Sequence, residues 1–202
     1  MKSQLKGTFF LIIGPSGVGK GSIISEIKKE WENKKFIFPI TATTRKPREG
    51  EKNGKDYIFM KKNEFKQGLE NNEFIEHAIV HNVNYYGLPK KEVFAALEKG
   101  DNVIRELDIQ GLLNLQKIIP KENLFSIFIM PPSIASLEAR IRGRSALPEE
   151  EIIRRLQTAK KEILNAKKCD AVITSHDAKL QEAIIATKNI ILLQLAKNKN
   201  NT

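Results

Sequence analysis

The sequence predicts an α/β fold in which a parallel β-sheet core is flanked by helices. Two observations lead to this prediction. Short apolar runs alternate with helical patterns along most of the chain, and the first run passes directly into a glycine-rich loop that precedes a helical pattern. Strands that alternate with helices favour a parallel sheet, because each helix returns the chain to the edge at which the next strand begins.

Five apolar runs are candidate buried strands, and four segments have helical periodicity. The candidate strands are residues 9–13 (FFLII), 36–42 (FIFPITA), 102–107 (NVIREL), 124–130 (LFSIFIM) and 171–174 (AVIT). The candidate helices are the segment after the glycine loop, where Ile24, Ile27 and Trp31 share a face, and residues 89–100, 148–168 and 177–195.

A length of 202 residues and a hydrophobic content of 41% predict one domain with its own core. Two segments interrupt the alternation. Residues 45–55 (RKPREGEKNGK) form a polar loop, and the short strands after it, expected to be antiparallel around a small helix, indicate an inserted mixed α/β lobe. Residues 140–151 (RIRGRSALPEEE) indicate an arginine-rich turn between two helices that acts as a mobile flap.

The formal net charge of +10 admits nucleic acid, acidic membranes or small polyanions as partners. No basic stripe interleaved with aromatic residues is present, which argues against a nucleic-acid module. No apolar run reaches the roughly 18 residues of a membrane span, and the N-terminus lacks a signal peptide, so we expect a cytoplasmic protein. The single cysteine, Cys169, is expected to be a reduced structural thiol, and the three histidines lack metal-ligand spacing.

The glycine loop GPSGVGKG matches the pattern G-x-x-x-x-G-K between a strand and a helix, as in P-loop NTPases. Its backbone N–H groups and the helix N-terminus favour phosphate oxygens, and Lys20 would neutralise the β and γ phosphates of ATP. Gly21 stands where a serine or threonine usually ligates Mg²⁺, and Ser22 follows it. The expected ATP-binding residues are Gly14, Pro15, Ser16, Gly17, Val18, Gly19, Lys20, Gly21 and Ser22.

Two carboxylates, Glu106 and Asp108, follow the run NVIREL, at the end of a strand where ligands bind in open α/β sheets. Together with Ser22 they are the candidate Mg²⁺ ligands, directly or through water. The alternative is an exposed strand end without a metal. Arg105 is unusual within an apolar strand, and an ion pair with a neighbouring carboxylate is its expected role.

The segments TATTRKPREGEKNGKDY, NEFIE, NYYG, LDIQG and RIRGR, in this order after the glycine loop, resemble guanylate kinase over residues 8–175. The resemblance implies Mg²⁺-dependent transfer of the γ-phosphoryl group of ATP to GMP, and to dGMP, in purine nucleotide metabolism. It also implies a division into a core (residues 1–40, 88–137 and 157–202), a GMP-binding lobe (41–87) and a lid (138–156).

The same resemblance assigns residues to the GMP site. Arg45 and Arg48 would hold the GMP phosphate, and two guanidinium groups suit a doubly charged anion. Glu76 would accept hydrogen bonds from guanine N1–H and N2–H₂, which adenine cannot match. The implied GMP-binding residues are Thr41, Arg45, Arg48, Tyr57, Glu76, Tyr86 and Asp108, with Tyr85 as the alternative to Tyr86.

The lid arginines implied by the resemblance are Arg140, Arg144 and Arg155, which with Lys20 form the expected catalytic set. Three other interpretations remain. A guanylate-kinase-like module that binds proteins would not need the lysine or the lid arginines, and a nucleic-acid binder has no recognisable module. A kinase for another nucleotide is the nearest rival, because Leu88 stands where the family has serine or threonine. We expect ATP and GMP as partners, no nucleic acid or membrane, and a monomer or weak homodimer.

Overall fold

A computed structural model describes residues 5–32, 34–80, 83–144 and 147–200, apart from the side chains of Val80 and Arg144. The core contains a parallel sheet whose strands lie in the order β2-β7-β1-β8-β9. These strands are β1 (Phe9–Ile13), β2 (Phe36–Ile37), β7 (Asn102–Glu106), β8 (Leu124–Met130) and β9 (Ala171–Thr174). Residues Phe9–Ile13 are between 0% and 1% exposed, because helices cover both faces of the sheet. The α/β class predicted from the alternation is therefore confirmed.

Two groups of helices pack on the two faces. One apolar cluster joins the sheet to α1 (Lys20–Trp31), α5 (Ile134–Arg144), α6 (Glu149–Leu164) and α7 (Leu180–Asn200). The other joins it to α3 (Lys90–Lys99) and α4 (Ile109–Leu115). Short 3₁₀ helices are formed by Lys121–Asn123 and Ala166–Lys168. None of the described helices is both long and apolar enough to cross a membrane.

A second sheet lies in the inserted segment and has the order β4-β3-β6-β5. Its strands are β3 (Ala42–Thr43), β4 (Ile58–Phe59), β5 (Phe74–Val80) and β6 (Asn84–Pro89), and α2 (Lys62–Glu70) packs beside them. Phe65 of α2 stacks on Phe74 with ring centroids 4.3 Å apart, which gives this part a small apolar core of its own. The expectation of antiparallel strands was wrong at one position, because β4 pairs with β3 in parallel.

The apolar run FIFPITA is divided between the two sheets, contrary to the expectation of one strand. Its first two residues form β2 in the core sheet, and Ala42–Thr43 form β3 in the second sheet. Pro39 lies between them and has no N–H to donate to a strand ladder, so the pairing of β2 with β7 ends before it. Residues 38–41 therefore carry the chain from the core to the second sheet.

Candidate active site

The glycine loop joins β1 to α1 at the carboxyl edge of the core sheet. Gly14, Gly17 and Gly19 have φ values of 148°, 89° and 104°, which favour glycine. A Cβ at Gly14 would lie 2.4 Å from the carbonyl oxygen of Ile129, so this position also lacks room for a side chain. Gly21 differs, since an added Cβ there would have no heavy atom within 4 Å. The loop conformation thus depends on specific glycines, and it places the N-terminus of α1 at the cavity.

Lys20 is the first residue of α1, and its side chain turns back over the loop. Its Nζ donates hydrogen bonds to the carbonyl oxygens of Gly14 at 2.7 Å and Pro15 at 3.1 Å. Burial lowers the pKa of Lys20, whereas the carboxylates of Glu106 and Glu162 act in the opposite direction. The ammonium group is therefore held at the loop, where it can meet a phosphate.

A cavity of about 990 Å³ lies between the glycine loop and the carboxyl ends of the core strands. This volume lies at the upper end of the range for small-molecule binding pockets. Residues predicted to be functional that line it are Gly14, Ser16, Gly17, Gly19, Lys20, Gly21, Ser22, Glu76, Glu106 and Asp108. Val18 is instead fully buried, and its side chain packs in the apolar core beneath the loop.

The acidic side chains of the cavity differ in environment. Glu106 ends β7, and Asp108 caps α4 by accepting a 2.8 Å hydrogen bond from the backbone N–H of Gly111. Glu162 of α6 also lines the cavity, and burial raises its pKa while Lys20 lowers it. Sequence reasoning missed Glu162, because nothing in a helical pattern marks one glutamate of α6 as facing the loop.

Arg45 lies in a cluster of aromatic and acidic groups in the polar loop. Its guanidinium donates to the two carboxylate oxygens of Glu51 at 2.8 and 2.9 Å, and it lies 5.2 Å from the ring centroid of Tyr57. The Glu51 carboxylate also accepts the backbone N–H of Arg48 at 2.7 Å. These contacts lower the pKa of Glu51 to about 2. Glu51 was not predicted as a site residue, although it lies three residues beyond Arg48.

The register of the second sheet distinguishes the two neighbouring tyrosines. Tyr86 lies opposite Thr43, and its ring is 6.2 Å from that of Tyr57 in an edge-on arrangement. The ring of Tyr85 packs 5.4 Å from that of Phe65 in the small apolar core. Of the two, Tyr86 therefore belongs to the cluster around Arg45.

Glu76 of β5 is half-buried and lies at the cavity wall that faces the core. Burial raises its pKa, Arg105 lowers it, and Asp108 raises it further. Among the described residues, no carboxylate oxygen lies within 4.0 Å of the Arg105 guanidinium, so the expected ion pair is not formed. The guanidinium donates instead to the carbonyl oxygen of Pro39 at 3.1 Å and to the hydroxyl of Thr41.

Comparison with known proteins identifies the family of this chain. The family model described as "Guanylate kinase" matches residues 6–193. The chain belongs to the guanylate kinase family. The guanylate kinase of Clostridium tetani is 44% identical over 188 residues, covering 91% of this chain and 88% of that protein. The guanylate kinase of Rickettsia prowazekii is 38% identical and covers 98% of this chain and 97% of that protein.

A crystal structure of guanylate kinase from Anaplasma phagocytophilum superposes with a TM-score of 0.67 and 30% identity, covering 96% of this chain and 88% of that one. The fold is therefore the P-loop NTPase fold of guanylate kinases, which are phosphotransferases. Both the resemblance seen in the motifs and the enzyme class predicted from it are confirmed.

Two of the three lid arginines expected from the guanylate kinase resemblance have described side chains. Arg140 donates to the carboxylate of Asp177 at 2.7 and 2.9 Å, to the carbonyl oxygen of Ser175 at 2.7 Å, and to that of Val18 at 3.2 Å. Arg155 donates to Glu151 on its own helix at 2.7 Å and does not line the cavity. Arg144 ends α5, and its side chain lies outside the described part of the structure.

Leu88, the position that departs from the guanylate kinase pattern, is fully buried. It packs in the core cluster on the α3 side of the sheet and does not line the cavity. Its side chain therefore contributes to the core and offers no contact to a ligand in this conformation.

Proposed function

We propose that this member of the guanylate kinase family phosphorylates GMP with ATP in a Mg²⁺-dependent reaction, and that dGMP is a second acceptor. The main support for the proposal is that a phosphate-binding loop and a carboxylate suited to guanine line the same cavity. The glycine loop with Lys20 supplies a phosphate-binding wall, and Glu76 on the opposite lobe supplies a carboxylate that can read guanine. The expected supply of GDP for purine nucleotide metabolism, in the cytoplasm, follows from this activity and stays a prediction.

The donor side would bind ATP through the loop residues 14–22. Backbone N–H groups at the start of α1 and the Lys20 ammonium offer positive charge to the phosphates without large rearrangement, because the loop is already in its curled conformation. The acceptor side would hold the GMP phosphate between Arg45, Arg48 and the hydroxyls of Tyr57 and Tyr86. Two guanidinium groups and two phenols suit a phosphate dianion.

Guanine recognition would rest on Glu76 and Thr41. The ionised carboxylate of Glu76 accepts from two adjacent donors of guanine, whereas adenine presents an unprotonated N1 at the same place. Burial of Glu76 strengthens this discrimination, since an unmatched buried carboxylate is costly. The rival interpretation as a kinase for another nucleotide rested on Leu88, and the burial of Leu88 in the core weakens it.

In the proposed reaction an oxygen of the GMP phosphate forms a bond to the γ-phosphorus of ATP. The bond from the γ-phosphorus to the bridging oxygen breaks, and ADP leaves with the electron pair. Little covalent help is needed, so the chain contributes position and positive charge. Lys20 would stabilise charge that develops on the donor phosphates, and Arg45 and Arg48 would hold the acceptor in line.

The residues present fit a magnesium ion that is shared with ATP. Among the described residues no group of three or more His, Cys, Asp or Glu side chains is placed to hold a metal alone. Ser22, Glu106 and Asp108 nevertheless offer hard oxygen donors beside the loop, and Mg²⁺ in kinases keeps several waters and binds through one or two side chains plus phosphates. When bound, the ion would neutralise phosphate charge.

We also propose the division into three parts that the guanylate kinase resemblance implies, with residues 41–87 as the GMP-binding lobe and 138–156 as the lid. The lobe has a sheet and an apolar cluster of its own, which supports its movement as a unit. The contacts of Arg140 and Arg155 outside the cavity are compatible with a lid that is not yet closed on substrates. Closure would exclude water and so limit hydrolysis of ATP.

The decisive experiment measures ADP formation by the purified protein with ATP and Mg²⁺, using GMP, dGMP, AMP, CMP and UMP as separate acceptors. Turnover with GMP and dGMP alone is the expected result, and removal of Mg²⁺ by a chelator should abolish it. Preferred turnover with another acceptor would replace the proposal with a different nucleotide kinase. Binding of GMP without any turnover would favour a protein-interaction module.

A further inference from the structure

Arg105 is a charged, half-buried residue on β7 of the core sheet. It lies on β7 after Val103 and Ile104, which are 0% and 1% exposed, and it pairs in register with Leu11 of β1. Its Nε is buried and has no hydrogen-bond partner among the described residues. Burial lowers the pKa of this arginine, with Glu76 and Glu106 opposing the shift. A buried N–H without a hydrogen-bond partner costs stability, and an apolar side chain at this position would avoid that cost.

The other two guanidinium nitrogens bind the segment that joins the core to the lobe. Nη1 donates to the carbonyl oxygen of Pro39 at 3.1 Å, and Nη2 donates to the hydroxyl of Thr41. The β2 ladder stops with Ile37 opposite Val103, so the backbone beyond it is not paired with β7. Arg105 thus replaces the missing ladder and fixes the start of the lobe to the core.

The contact with Arg105 also limits the hydrogen bonds that the Thr41 hydroxyl can form with a ligand. A guanidinium can only donate, so the hydroxyl oxygen accepts and loses one of its two lone pairs to Arg105. One proton and one lone pair remain. The positive charge against the oxygen makes the remaining proton a better donor and the remaining lone pair a poorer acceptor. The hydroxyl is therefore biased to donate to whatever binds in front of it.

Guanine and adenine differ in the hydrogen-bonding groups at their 6-position and at N1. Along one edge guanine presents the O6 acceptor beside the N1–H and N2–H₂ donors, whereas adenine presents an N6–H₂ donor beside unprotonated N1. A carboxylate beside a donating hydroxyl therefore complements guanine and opposes adenine. Arg105 hydrogen-bonds Thr41, and its positive charge lowers the pKa of the Glu76 carboxyl.

We infer that Arg105 is a specificity-determining positioning residue, which makes the Thr41 hydroxyl a donor to the 6-position of the purine. This inference rests on the proposed GMP kinase activity and deepens it. Arg105 itself need not touch the nucleotide. Its effect would appear in the choice between purines and in the KM for the acceptor, with little change in the KM for ATP.

The test compares kcat/KM for GMP, IMP and AMP in the wild type, Arg105→Met and Thr41→Val. IMP retains the 6-oxo group and N1–H and lacks only the 2-amino group. We expect Arg105→Met to lower kcat/KM for GMP and IMP by the same factor of about ten, with AMP much less affected, so that the GMP:AMP ratio falls about tenfold. The double variant should fall no further than the single ones, because both remove the same interaction.

The test uses the ratio of kcat/KM values for two acceptors measured with the same enzyme preparation. A loss of folded protein lowers both values equally and leaves their ratio unchanged. Lys179→Met is the control for loss of a positive charge, since Lys179 pairs with Glu182 on the surface and 57% of its side chain is exposed. An equal loss with all three purines, or additive effects of the two substitutions, would overturn the role of Arg105 while leaving the GMP kinase proposal intact. A wild-type protein that does not prefer GMP would overturn both proposals.

Discussion

The guanidinium of Arg45 and the carboxylate of Glu51 form a two-point ion pair, with donor–acceptor distances of 2.8 and 2.9 Å. The same carboxylate accepts the backbone N–H of Arg48. One acidic side chain thus holds both arginines that are expected to bind the GMP phosphate. Because its pKa is lowered to about 2, Glu51 stays ionised at every pH at which activity would be measured.

Substitution of Glu51 should therefore weaken GMP binding. Glu51→Gln places an amide N–H₂ against the guanidinium of Arg45, so Arg45 loses its fixed orientation, and we expect the KM for GMP to rise about tenfold with an unchanged KM for ATP. Steady-state kinetics with each substrate varied in turn measures this. Glu49→Gln, an exposed neighbour in the same loop, is the control. A parallel rise in both KM values would show that Glu51 does not act on the GMP side alone.

Lys20→Ala should abolish turnover and leave the fold intact. Removal of one preorganised positive donor from the phosphate site is expected to lower kcat at least 10²- to 10³-fold. The fold should persist, because Lys20 is the first residue of α1 and, within the described residues, its side chain donates hydrogen bonds to loop carbonyl groups alone. Lys29→Ala on the exposed side of the same helix is the control. Circular dichroism checks the fold, and near-normal turnover by Lys20→Ala would rule out the role given to this lysine.

Sequence patterns predicted the core better than the site. Strands β1 and β8 were located to the residue, because runs buried on both faces leave a continuous apolar signal. The division of FIFPITA was not predicted, since it depends on a second sheet that competes for Ala42–Thr43. The parallel pairing of β3 with β4 likewise joins segments separated by the polar loop, and no local pattern encodes it.

Within the candidate site, the residues of the glycine loop could be named from spacing alone, since the loop is a local structure. The contacts of side chains that are far apart in the sequence could not be predicted in this way. Arg105 was recognised as unusual, but its contacts with Pro39 and Thr41 lie more than 60 residues away in the chain, at separations of 66 and 64. Glu162 reaches the cavity from α6, whose periodic pattern does not distinguish it from the other glutamates of that helix.

Two glycines of the loop should respond differently to the same substitution. Gly14→Ala is expected to disrupt the loop, because φ is 148° and the new Cβ would lie 2.4 Å from the carbonyl oxygen of Ile129. Gly21→Ala should preserve stability, since its Cβ meets no heavy atom within 4 Å. Thermal unfolding of both variants measures this, and an equal loss of Tm in the two would contradict it. Alanine is also the better helix former at Gly21, which lies in the first turn of α1.

Glu76 should show opposite effects on binding and on stability. Glu76→Gln removes the carboxylate that is expected to read guanine, so we expect the KM for GMP to rise on the order of 10²-fold with little change for ATP. In the wild type, kcat/KM for GMP should fall on the acid side as Glu76 takes up a proton. Its pKa is raised by burial, so this fall should begin above the ordinary glutamate range, and Glu76→Gln should lack it.

The stability effect of Glu76 follows from the same raised pKa. The folded state binds this proton more tightly than the unfolded state does, so stability decreases as the pH rises through the window between the unfolded pKa of about 4.3 and the higher folded value. Above that window the wild type carries a half-buried charge that glutamine lacks. Glu76→Gln should therefore have a larger free energy of unfolding than the wild type at pH 7, and the difference should shrink as the pH approaches 4. Urea unfolding at both pH values measures it, and lower stability of the variant at pH 7 would show that Arg105 compensates the buried charge fully.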